Sequence, residues 1–255
     1  GCFVPYGCTT YVCAVSPDGG MDAGDASVGT VVTGALPAAG PRAAAGDAGA
    51  ADGGSGADEA YSFVSGNTIT GTGVAGSLPQ GGADRTVMLW EKEATNPGSA
   101  TFFNYGSYTS NERCGLLAGG SHDYFVGENN DVRGNIVLDD DKWHHFAVTY
   151  SSRVIGLYVD GVQDKQMTLS TALNTTGQRW AIGTTVTVAN REPLIGSVSD
   201  IRVYNRVLST TEIANAATFT GASANPESLR ASTSGLVFWL PLFATPEAEF
   251  NRCGP

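Results

Sequence analysis

The chain has 255 residues, 34 of them glycine, and a net charge of −11. That length leaves room for one sandwich-sized β domain and additional chain, and the glycine content favours many turns over long helices. The acidity, with Lys92, Lys142 and Lys165 as the only lysines, disfavours a nucleic-acid partner, and no apolar run is long enough to cross a membrane.

Residues 1–16 read as a small head containing Cys2, Cys8 and Cys13. It is too short for a core of its own, so at least one disulfide within that trio is expected. Cys114 and Cys253 complete a set of five. The odd count leaves one thiol free or bonded to another chain, and the clustering suits an oxidising, extracellular setting. The opening Gly1-Cys2 reads as the start of a processed chain. With no close C-x-x-C pair and only three histidines, a structural zinc site is not expected.

From Pro17 to Ala60 the composition changes: 30 of the 44 residues are Gly, Ala or Asp. Such a stretch buries little and reads as an extended arm or linker. Ordering it would cost ~1–2 kcal/mol of backbone entropy per residue, so contacts from neighbouring copies of the chain are the expected source of any order. Val28 to Thr33, with Val28, Val31 and Val32, is the part most suited to adding as a strand to a neighbour's sheet.

Residues 61–243 carry the strand pattern. Runs at 61–64, 67–70, 85–91, 100–105, 122–126, 136–138, 165–169, 178–183 and 196–204 are separated by Gly, Pro and Asn punctuation. At the centre lies DKWHHFAVTYSSRVIGLYVDGV, from Asp141 to Val162. It reads as a hairpin whose first strand, Trp143 to Tyr150, is apolar on both faces and therefore internal to a two-layer structure. Ser209-x-x-Glu212 has capping-box spacing, which predicts a short helix over 210–216. Gly235 to Leu240 is a strongly apolar strand, and residues 244–255 form a tail.

WHHFAVTY, LYVDGV and IGSVSDIRVYNRVLSTTEI together resemble the signature run of laminin-G-like jelly rolls, relatives of the concanavalin A-like lectin and glucanase sandwiches. The resemblance implies an all-β, two-sheet antiparallel jelly roll. It also makes the late strand unusual, since a Gly-Leu-Val-x-x-Trp-like strand ordinarily opens such a domain. Either the first and last strands pair with each other as sandwich edges, or Leu236, Phe238 and Trp239 complete a neighbouring subunit's sheet.

Candidate sites are few. Glu91 and Glu93 share a strand face but read as a solvated strand end, and no carboxylate pair is spaced as glycoside hydrolysis requires. His144 and His145 are strand neighbours, so they face opposite ways and suit packing or hydrogen bonding. By resemblance, calcium is the one ion suggested, at a sandwich rim rich in Asp and Asn. Asp123, Glu128, Asn129 and Asp131 lie in one candidate loop, and Asp139, Asp140 and Asp141 in another; Asn129, Asp131, Asp139 and Asp141 are the leading ligands. Tyr105, Tyr108, Tyr124 and Phe125 could stack on sugars, although packing suits most of them better. Asn174-Thr175-Thr176 is a glycosylation sequon in an expected loop.

The sequence therefore points to a non-enzymatic protein of the cell surface or extracellular matrix, needing no cofactor. Its leading role is structural, a filament or matrix subunit whose partners are copies of itself or matrix proteins. The alternative is a lectin-like adhesion module that binds glycans.

Overall fold

The computed structural model describes residues 2–3, 12–13, 61–63, 68–73, 77–93, 98–138, 140–189, 191–218, 234–240 and 242. The Pro17–Ala60 arm, the side chains of the head cysteines and Cys253 lie outside that description.

Two-residue strands β1 (Cys2–Phe3) and β2 (Val12–Cys13) pair with each other, their backbones placing Cys2 opposite Cys13. The sandwich then contains β3 (Tyr61–Phe63), β4 (Ile69–Thr72), β5 (Arg85–Glu93), β6 (Ser99–Gly106), β7 (Arg113–Gly119), β8 (His122–Val126) and β9 (Val132–Arg133). It continues through β10 (His144–Ser151), β11 (Val154–Val159), β12 (Val162–Thr168), β13 (Arg179–Ile182), β14 (Gly196–Tyr204), α1 (Thr210–Ala217) and β15 (Leu236–Leu240). One sheet runs β12-β11-β10-β5-β14-β15, with β3 also on β14; the other runs β4-β13-β6-β7-β8-β9. Every pairing is antiparallel. This is the expected jelly roll.

The central hairpin forms through two tight turns. Ser151 pairs with Val154 across Ser152 and Arg153, both with positive φ, and Val159 pairs with Val162 across Asp160 and Gly161, again both positive. Two left-handed residues in a two-residue loop match the twist of the flanking strands. At Gly161 a side chain is also excluded by space, because a Cβ there would sit 2.8 Å from Ala214 Cα of α1.

Alternation divides β10 between two cores. Phe146 and Val148 face the inter-sheet core with Leu157, Ile201 and Val203, all buried. Removing each such side chain from water contributes about 1.5–3 kcal/mol. Ala147 points the other way, into a second cluster with Met88, Tyr204 and Ile213, the last on α1. The outward apolar face of β10 is thus covered by a helix. Its capping box is complete: the Glu212 amide donates to Ser209 Oγ and the Ser209 amide to the Glu212 carboxylate.

Three expectations need correction. Trp143 lies just before β10 and is only half-buried, because the strand begins one residue later. Residues 136–138 form no strand; Ile136 and Val137 are exposed, while Leu138 is buried and donates its amide to Ser121. In their place the chain uses β7, which the sequence reading passed over because Gly115, Ala118 and Gly119 dilute its β pattern. Burial on both faces compensates for those small residues.

The late strand stays at home. β15 pairs with β14 of its own chain, Ile201 opposite Leu240 and Val203 opposite Phe238, while β3 occupies the next stretch of the same strand. Phe238 and Trp239 are buried, and Trp239 Nε1 donates to Asp200 at 2.7 Å. Leu236, Phe238 and Trp239 are therefore not a strand offered to a neighbour.

Candidate functional site: a hydroxyl-lined groove and a buried carboxylate cluster

The outer face of the six-stranded sheet is covered by the loop between β13 and β14, and one buried cation fastens it. Arg113, on β7, points away from the inter-sheet core and is fully buried. Its Nη1 donates to Glu128 at 2.9 Å, and its Nη2 to Glu192 at 2.6 Å and Thr101 at 3.1 Å. Nε completes the set by donating to Asn104 at 3.1 Å. Asn104 in turn accepts the Val186 amide and donates to the Ala181 and Thr184 carbonyls. Burial alone would raise the Glu192 pKa, but the hydrogen bonds and charge of Arg113 hold it below the usual value. Tyr108 lies between Arg191 and Arg113, 4.7 Å and 6.0 Å from its ring centre.

Beside this fastened loop the sheet surface stays open. Thr72 lies opposite Arg179 and Thr70 opposite Ala181 in the β4–β13 register, with Ile69 and Trp180 turned inward. Thr68, Thr70, Thr72 and Arg179 form the floor of a groove of about 480 Å³, and residues 184–189 form its wall. Among the described residues that line it, Arg179 is the only charged one and no carboxylate pair faces across it.

The second site lies between the sheets. Glu91 and Glu93 continue the inward alternation of Val87 and Leu89, and Asp123 shares the inward face of β8 with Phe125. All three are buried, with Glu91 only 1% exposed. Neither oxygen of Glu91 has a hydrogen-bond partner, and neither does Asp123 Oδ2. Burial, then the negative charge of Asp123 and Glu93, pushes the Glu91 pKa well up. Burial and then Glu93 do the same to Asp123. Glu91 and Glu93 are therefore not the solvated strand end that the sequence suggested, since β5 runs on to Glu93 with its alternation intact.

His144, opposite Glu91 in the β5–β10 register, closes the rim above this cluster. Its Nδ1 lies 2.8 Å from Asp160 and its Nε2 3.1 Å from Asp140. The Asp160 hydrogen bond leads the causes raising the His144 pKa. His145 faces the other way, buried edge-on against Trp90 at 5.4 Å between ring centres. Burial, then the charge of Arg202, lowers its pKa to about 3.

The leading calcium candidates are not gathered into one site. Asn129 donates to Ser110, Asp131 accepts the Gly127 amide as a turn residue, and Asp141 is exposed beside Lys92 at 3.6 Å. Asp139 lies outside the described residues. Among those residues no three His, Cys, Asp or Glu side chains are positioned to hold a metal together. Cys114 is a free thiol buried in the inter-sheet core, not half of a bridge. Tyr105 and Phe125 are core residues, so packing claims two of the four sugar-stacking candidates, while Tyr124 is half-buried and donates its hydroxyl to Ser99. Asn174 is exposed in the β12–β13 connection.

Residues 65–214 match a laminin-G family model described as the concanavalin A-like lectin/glucanases superfamily. The chain belongs to that superfamily. Human neuronal pentraxin-1 is 33% identical over 81 residues, 31% of this chain and 19% of that protein. A Bacteroides ovatus protein, described as a candidate carbohydrate-binding protein, superposes with a TM-score of 0.54 at 16% identity, covering 72% of this chain and 51% of that one. Domains LG4-5 of the mouse laminin α1 chain align at a TM-score of 0.48 and 15% identity, covering 60% and 44%. The chain thus spans about half the length of the Bacteroides structure and a fifth of the pentraxin. Laminin-G-like domains are typically extracellular and generally non-catalytic. No described helix is long and apolar enough to cross a membrane.

Proposed function

We propose that this is a non-catalytic, extracellular carbohydrate-binding domain that seats a glycan in the groove over β4 and β13. The groove carries the reading. It has the volume of a small-molecule site, and its threonine hydroxyls and one guanidinium suit a polyhydroxylated ligand. The resemblance to a candidate carbohydrate-binding protein supports the same class by analogy of fold.

A glycan array followed by calorimetry tests this. Micromolar binding that is lost in Thr70→Trp, which fills the groove without touching the core, is the expected result. No glycan binding, or binding indifferent to Thr70→Trp, overturns it.

The assembly reading, with copies of the chain as partners, has one observation in its favour. β12 is a seven-residue sheet edge with Val162 and Met167 exposed on it, and open edges are templates for pairing between chains. Light scattering and negative-stain images of the native protein decide it: polymers that survive dilution support a filament subunit, and a monomer refutes it.

A further inference from the structure

The wall of the groove is a strained hairpin held from beneath. Thr185 and Val188 bridge across Val186 and Thr187, and Thr187 sits at a φ of 64°. A β-branched residue is an outlier there, and such a conformation persists only where the surroundings impose it. Three successive wall residues are anchored to the sheet below. Asn104 donates to the Thr184 carbonyl and accepts the Val186 amide, each at 2.9 Å, and between them the Thr185 hydroxyl donates to Glu192 at 2.9 Å. The Thr185 amide adds a bond to the Arg191 carbonyl at 3.1 Å, and the Tyr108 amide one to the Thr187 hydroxyl at 3.4 Å. Asn104 and Glu192 are both held by Arg113. Arg113, Asn104 and Glu192 are themselves outside the groove's lining.

We propose that Arg113 is a positioning residue for the groove: through Asn104 and Glu192 it sets the 184–188 hairpin in its ligand-receiving shape before a glycan arrives, so affinity and selectivity depend on a side chain that the glycan does not touch. The proposal rests on the groove being the glycan site. The hairpin uses its polar groups internally. The Thr184 carbonyl, the Thr185 hydroxyl and the Val186 amide are taken by the anchors, and the Thr184 hydroxyl donates to the Val188 carbonyl at 3.4 Å. The wall therefore contributes shape, while polar recognition falls to the exposed Thr70, Thr72 and Arg179 on the floor. A wall fixed in advance also spares the complex the entropy of ordering it. Arginine suits this task as lysine does not, because its planar fork meets Asn104, Glu192 and Thr101 at once.

The test compares the full wild-type chain with Arg113→Lys and Glu192→Gln, each well below its unfolding midpoint. The probe is the oligosaccharide that the wild type binds most tightly on the glycan array. Both variants should bind it roughly tenfold more weakly, the order expected when a few groups must be ordered on binding, and their array profiles should broaden as the wall loosens. Amide hydrogen exchange should quicken at Thr185 and Val186 while β10 keeps its protection. Arg206→Met, which weakens a contact away from the groove, should leave affinity and profile at their wild-type values; a purely stabilising role for Arg113 would do the same in its own variants. Should Arg113→Lys fail to fold, Glu192→Gln carries the comparison. Unchanged affinity and profile in the folded variants overturn this proposal and leave the glycan site standing, as does unchanged exchange at Thr185 and Val186. A wild type that binds no array glycan overturns the reading of the groove itself, and the proposal falls with it.

Discussion

Arg113 and Glu91 are both buried, ionisable and rooted on β-strands, yet their surroundings are opposites. Arg113 uses Nε, Nη1 and Nη2 on two carboxylates, a hydroxyl and an amide, and so joins the β13–β14 loop to the sheet. Glu91 has two oxygens without a partner and carboxylates for neighbours. Burying a charge is tolerable when its hydrogen-bonding capacity is met within the chain. When it is not, the chain is less stable than it could be. The first cluster is finished by folding, and the second is not.

Breaking each side should therefore give effects of opposite sign. Arg113→Met should be the largest, costing ~3–5 kcal/mol because Glu192 and Asn104 lose their partner in a buried setting; urea denaturation measures it. Glu91→Leu should do the reverse. At neutral pH it should stabilise the fold by about 1–3 kcal/mol, the cost of an unmet buried polar group, and an unchanged or lowered urea midpoint would contradict this.

The pH dependence sharpens the contrast. The pKa values of Glu91 and Asp123 are raised by folding, so their contribution is complete below the unfolded values of 4.5 and 3.8 and is lost as pH rises through the raised values. Glu192 is lowered, so its contribution is present above 4.5 and is lost as pH falls through its folded value. Glu91→Gln should flatten the loss on raising the pH, and Glu192→Gln the loss on lowering it. Unfolding midpoints across a pH series show either. The smallest effect belongs to the surface pair Arg206–Glu212, 2.6 Å apart but about a third exposed on both sides. Arg206→Met should cost less than ~1 kcal/mol in the same urea assay.

The fold was legible where local rules and tertiary packing agree. The turns at Ser152-Arg153 and Asp160-Gly161, the capping box at Ser209 and the two-faced strand through Phe146 and Ala147 are written in short-range pattern. Trp143 and β7 were misjudged because strand ends and glycine-diluted strands are settled by what packs over them. The glutamate pair was readable in principle. Val87, Leu89, Glu91 and Glu93 share one parity, and carrying that alternation to the strand's end would have placed both acids inside. The polarity of the residues argued for solvent, and the period was the better guide. Asp123 repeats the lesson, since its parity with Phe125 outweighs its place at a loop. The Arg113 network was not readable, because Thr101, Asn104, Glu128 and Glu192 come together only through the register of three strands and a returning loop.

β15 and β3 run in the same direction along β14, β15 ending with Leu240 opposite Ile201 and β3 beginning with Tyr61 opposite Val198. Geometrically they are one strand broken in the middle, where the sandwich's last strand stops and its first begins. The domain is thus already arranged for circular permutation. A short linker from Leu242 to Tyr61 would close that strand, and new ends could open at the Ser152-Arg153 turn without removing a sheet pairing. Tyr61 and Leu240 stand at neighbouring points along β14, so the sandwich's first strand starts where its last one stops.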